Sequence, residues 1–70
     1  MPPKIRDLKA SLRRAGFTER PGKGSHTVWS HPALQRRITI SGGDGDDAKP
    51  YQQRDTRDAL ADVADAGRSN

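Results

Sequence analysis

The chain has 70 residues, of which 31% are charged and 4% aromatic, and a formal net charge of +4. A chain this short forms one domain that buries only about 60% of the surface exposed on unfolding, which argues against a deep, enclosed small-molecule pocket. Cysteine is absent, excluding disulfides and thiolate metal sites, and no apolar run approaches the length of a membrane span or of a signal peptide's core. The expectation is one cytoplasmic domain over residues 1–70, ordered from about 4 to 66, with a frayed tail at Arg68, Ser69 and Asn70, working at a shallow surface groove.

Lys4 to Ala15 reads as a helix. Ile5, Leu8, Leu12 and Ala15 fall on one stripe at spacings of three and four, with Lys4, Arg6, Lys9, Arg13 and Arg14 largely off it. Pro3 suits the first turn, and Gly16 a left-handed stop after which Phe17 folds back onto the last turn. Arg13 and Arg14 sit where the helix dipole favours cations, a structural role that competes with binding a polyanion. Phe17 to Arg20 reads as a short strand, Pro21 to Gly24 as a turn, and His26 to Ser30 as a second strand. A turn at His31 to Gln35 leads to a third strand, Arg37 to Ser41, with Ile38 and Ile40 on one face. Short loops make these strands an antiparallel meander. Gly42 to Asp47 reads as a polar loop; its stretch Asp44 to Asp47 resembles a calcium loop but has Lys49 where the sixth-position glycine belongs, so turn formation and capping of the next helix by Asp46 and Asp47 are expected instead. Pro50 to about Ala64 reads as a second helix with Thr56, Ala59, Leu60 and Val63 inward, and Gly67 ends the pattern. The fold class is α+β: an α-β-β-β-α sandwich with a three-stranded antiparallel sheet and both helices on one face.

Charge is distributed unevenly. Residues 1–40 carry nine Lys/Arg against two Asp/Glu, and residues 41–70 four against seven. A basic first half attracts a polyanion. Within it, Lys23-Gly24-Ser25-His26 sets a cation, a flexible glycine, a hydroxyl and an imidazole in succession, a combination suited to a phosphodiester. His26 is the candidate proton-transfer group; its structural alternative is a strand histidine bonded to a loop. Strict alternation places His26 on the face of Val28, which is expected in the core, so exposure of His26 requires a bulge or a late strand start. Trp29 is then expected to face outward, as a platform for a stacked base or an anchor for a partner, unless the parity is reversed and it is core. His31 suits a turn and is at most a second proton-transfer group. Two histidines with no cysteine and no nearby carboxylate make a poor metal site, so none is expected.

The helix ending at Ala15-Gly16-Phe17, the Lys23-Gly24-Ser25-His26 step into an aromatic strand, His31-Pro32 and the Ile38-Thr39-Ile40 strand together resemble the HicA-like (YcfA-like) mRNA interferase toxins of bacterial toxin–antitoxin pairs. The resemblance spans most of residues 4–64. It implies a fold similar to double-stranded-RNA-binding domains, cleavage of mRNA without a metal or other cofactor, and restraint by a HicB-like antitoxin. It places the catalytic histidine at His26 and gives Gly24 and Ser25 the loop that presents it. Two positions depart from the family pattern: Thr27 stands where many members have a second histidine, and Gly42-Gly43-Asp44 where many have a histidine after the third strand. The expected function is a metal-independent endoribonuclease, with RNA contacts from Lys23, Gly24, Ser25, Arg13, Arg14, Trp29, Arg36 and Arg37. The rivals are a non-catalytic RNA-binding module of the same fold and an inactive toxin-like protein acting only through a protein partner.

Overall fold

The computed structural model describes residues 1–68, so the tail expected to fray at Ser69 and Asn70 lies outside the described residues. The elements run α1 (Ile5–Arg14), β1 (Thr18–Pro21), β2 (Thr27–Ser30), β3 (Ile38–Ile40) and α2 (Pro50–Arg68). The strands form one antiparallel sheet in the order β1-β2-β3, so the expected α-β-β-β-α architecture is the one observed.

The end of α1 follows from its sequence. Gly16 adopts φ +96°, a left-handed conformation that any Cβ would disfavour. The turn this makes lets Gly16 N–H donate to Arg13 O at 3.0 Å and Phe17 N–H donate to Leu12 O at 3.0 Å, the paired bonds of a Schellman stop. Phe17 then lies buried against the core, as expected. The start of α1 departs from expectation. Pro3 precedes the helix, and Lys4 is the N-cap. The first N–H groups of α1 are taken by the loop after β3: Ile5 donates to Asp46 O at 2.9 Å and Arg6 to Asp44 O at 3.2 Å. That loop was expected to cap α2. Instead Asp46 accepts from Gly43 N–H at 2.9 Å, and Asp47 pairs with Lys4. The entry to α2 is held by Gln52, whose Oε1 accepts from Lys49 N–H and whose Nε2 donates to Ser41 O, each at 2.9 Å.

Helix α2 also runs past its expected end. Gly67 does not take a positive φ, so the chain stays helical through it to Arg68. Thr56 and Ala59 are buried and Leu60 and Val63 pack against the core, in the stripe the periodicity predicts.

The parity of β2 is the reverse of the expected one. Trp29 is 0% exposed and forms the centre of the core with Ile5, Leu8, Leu12, Phe17 and Ile40, whereas Val28 is only half-buried on the other face. The register explains it: Thr27 lies opposite Ile40 and Trp29 opposite Ile38, so the inward isoleucines of β3 carry Thr27 and Trp29 inward with them. The indole N–H donates to Thr27 Oγ at 2.9 Å, and that hydroxyl donates to Ile40 O at 3.1 Å, so the buried polar edge of the ring is satisfied. Arg13 closes the other side, its guanidinium carbon 5.3 Å from the ring centroid. An indole enclosed in this way offers no face to a base, so Trp29 does not have the outward position expected of an RNA contact.

Candidate active site

The inward turn of Trp29 resolves the difficulty at His26. With Thr27 and Trp29 facing the helices, His26 has outward parity, and β2 begins one residue after it, at Thr27. His26 is exposed on the turn between β1 and β2. That turn is tight: Gly22 N–H donates to His26 O at 2.8 Å and His26 N–H to Lys23 O at 3.0 Å. Between these bonds Gly24 takes φ +59°, again a left-handed conformation suited to glycine. A bond from Gly42 N–H to Ser25 Oγ, 3.2 Å long, ties this turn to the loop after β3.

The two loops and α1 enclose an open groove of about 530 Å³. Gly24, Ser25 and His26 line it from one side, Gly42, Gly43 and Asp44 from the other, and Lys9 from α1. The groove is shallow, as the length of the chain predicts. Three of the expected site residues are thus brought together. Lys23 sits next to them on the exposed turn without lining the groove.

The arginines are distributed differently from the expectation. Arg13 donates to Glu19 at 2.9 Å while covering Trp29, so it is engaged within the fold. Arg14 is exposed at the end of α1. Arg36 and Arg37 line a separate groove with Asp55 and Asp58 of α2, and Arg36 donates to Asp62 at 2.7 Å. Nearby carboxylates therefore offset these two charges, and neither arginine lines the groove of His26.

Lys9 is the site residue that helical periodicity missed. It was placed off the buried stripe, yet it is 8% exposed and lies among Ile5, Leu8 and Leu12. Its Nζ donates to Asp44 Oδ1 at 2.8 Å. This hydrogen bond is the main cause holding the Asp44 carboxyl below the usual aspartate range, helped by the charge of Lys9, opposed by loss of solvation, and helped further by the charges of Arg13 and Arg6. The available signal was the position of Lys9 between Leu8 and Leu12: a lysine stem can pack on an apolar stripe while its ammonium reaches the rim.

His31 takes no part in this groove. Its Nε2 lies 3.1 Å from Ala15 O, and its Nδ1 accepts from Ala33 N–H at 3.0 Å, which assigns the Nε2–H tautomer. Its ring packs on Phe17 with centroids 5.1 Å apart. His31 therefore fastens the end of α1 to the turn after β2 and is not a second proton-transfer group. Thr27, at the position where the resemblance leads one to look for another histidine, lines the groove, but its hydroxyl is bonded to Trp29 and Ile40.

The comparisons with curated proteins and with solved structures give no match. The family model described as HicA toxin of bacterial toxin–antitoxin matches residues 5–59, from the first turn of α1 to the middle of α2. The match takes in every groove-lining residue and most of the 70-residue chain, and the chain belongs to the HicA toxin family.

Proposed function

We propose that the protein is the toxin of a type II toxin–antitoxin pair and acts in the cytoplasm as a metal-independent endoribonuclease on mRNA. The observation that carries this reading is the exposed imidazole of His26 at the rim of an open groove, presented by a left-handed Gly24 turn in a chain of the HicA family. The groove is wide and shallow enough for a single strand to lie in it, whereas a buried pocket would require a small ligand.

His26 is the general acid/base. The 2′-oxygen of a ribose bonds to the adjacent phosphorus as the bond from phosphorus to the 5′-oxygen breaks. The imidazole takes the 2′-hydroxyl proton, and the departing 5′-oxygen takes a proton from water. The products are a 2′,3′-cyclic phosphate and a 5′-hydroxyl. Lys23 and the N–H groups around Gly24 and Ser25 stabilise the negative charge that gathers on the phosphate oxygens, and Arg14 contributes to the approach of the strand. A HicB-like antitoxin silences the toxin by covering the groove.

Expression of the protein and of His26→Ala, with growth and RNA decay followed in parallel, tests the assignment. Loss of a general acid/base slows cleavage by about 10²–10⁴-fold, so the variant should be non-toxic. Purified protein should cut RNA equally well with and without a chelator. Equal toxicity of the two proteins, or cleavage abolished by chelator, overturns the proposal. RNA that is bound but left intact, with His26→Ala unchanged, points to the non-catalytic binding module.

A further inference from the structure

Lys9 and Asp44 lie on the wall of the groove facing the His26 turn, and the mechanism above uses neither. The lysine side chain is 10% exposed and the aspartate 66%. The lysine is therefore the fixed member of the pair. Its stem is packed among the buried residues of α1, and its ammonium emerges at the groove. The aspartate is the solvent-exposed member, on the loop after β3. An ammonium has three donors, and Asp44 Oδ1 takes one of them. Around the single Asp44 carboxylate act three cations, Lys9, Arg13 and Arg6. Of these, Arg13 is bonded to Glu19, while among the described residues Lys9 has only the exposed carboxylate of Asp44 for a side-chain partner.

A pair so arranged is poorly explained as a strut. An ion pair with one solvated member contributes little to stability, and the loop carrying Asp44 is already fastened by its backbone bonds to Ile5 and Arg6. A lysine stem among apolar side chains, where a leucine would pack without a charge to solvate, calls for a use of the ammonium.

We infer that Lys9 is a phosphate-binding residue of the groove, held by Asp44 while the groove is empty and turned over to an RNA phosphate when a strand enters. This rests on the reading of the groove as an RNA site. Asp44 thereby acts as a stand-in anion: it keeps the ammonium in position, and it competes with the substrate for it. The two side chains of one ion pair should then act on RNA affinity in opposite directions. A purely structural pair would not behave so, because removing either member would loosen the same contact.

The test measures the affinity of the full chain for a short, mixed-sequence single-stranded RNA by fluorescence anisotropy over a range of salt concentrations. All proteins carry His26→Ala so that the RNA stays intact. Lys9→Met should weaken binding about tenfold, the worth of one charge-assisted hydrogen bond. It should also flatten the slope of log affinity against log salt by about 0.7, the counterions of one single-strand phosphate. Lys9→Arg should recover most of both. Asp44→Asn should tighten binding several-fold. An unchanged affinity and slope in Lys9→Met overturns the inference, as does an Asp44→Asn protein that binds no better than its parent. Should circular dichroism show Lys9→Met unfolded, Asp44→Asn decides alone by the same criterion. No RNA binding by the His26→Ala parent overturns the proposed function itself, whereas binding that ignores Lys9 and Asp44 overturns only the role given to this pair.

Discussion

Val28 and Trp29 are neighbours on β2, both are good strand residues, and only one of them can face the helices. Alternation by itself does not choose between them. What chooses is the partner strand: Ile38 and Ile40 are unambiguous, and the register that pairs them with Trp29 and Thr27 turns the indole inward. That register was not readable from either strand alone, because the offset between the strands is set by the turn connecting them. The same choice turns His26 outward, so the exposure of the candidate catalytic residue and the burial of the tryptophan are one event. Trp29→Ala should therefore be damaging far beyond its own contacts. Removing a fully buried tryptophan costs about 3–5 kcal/mol, against a total stability for a domain of this size of about 4–10 kcal/mol. The expected result is a protein mostly unfolded or melting far below its parent in a denaturant or thermal titration. Trp29→Phe, which keeps a ring but loses the bond to Thr27, should fall between the two.

At the scale of elements, local signals served well where one segment determined its own structure. The stop of α1 at Gly16, the three short strands and the inward stripe of α2 were all legible, because turn chemistry and periodicity act over a few residues. They failed where one segment completes another. Asp46 and Asp47 precede α2 in sequence and were assigned to it, yet the loop supplies carbonyls to the start of α1, some forty positions earlier in the chain. The helix those aspartates were expected to cap is instead secured by Gln52, 3% exposed and bonded at both ends of its amide. A buried amide with both ends occupied predicts a clear penalty for its loss. Gln52→Ala should destabilise the fold by about 1–3 kcal/mol, since Ser41 O and Lys49 N–H lose their partner. For a domain this small the melting temperature should drop by roughly 4–8 °C for each kcal/mol, and the drop should occur with the far-UV spectrum of the folded state unchanged.

For the whole molecule, the division of charge along the sequence does not carry over into space. Carboxylates of the second half return to cations of the first in the pairs Lys4–Asp47, Lys9–Asp44 and Arg36–Asp62. The sequence suggested a broad basic half; the folded chain presents a smaller set of cations near the His26 turn, which is why the arginines in the turn before β3 proved a poor guide to the site. Pairs with at least one solvated member, as all three have, add little to stability, so salt should separate folding from binding. Between 50 and 200 mM salt the melting temperature should change little. Affinity for single-stranded RNA should fall by roughly twentyfold, as expected if about three phosphates are neutralised at a slope of about 0.7 each. A melting temperature that falls in step with affinity would instead mark the ion pairs as a main support of the fold.

The loop from Gly42 to Asp47 has two neighbours: on one side it borders the groove of His26, on the other it supplies acceptors to the opening turn of α1. Any drift that widened the groove would strip that turn of its acceptors. The groove is thus a cast shape with little give, and under the proposed function adjustment falls to the nucleic acid: a limp, unpaired stretch of message would bend to lie in it, and the same bases locked in a stem would not.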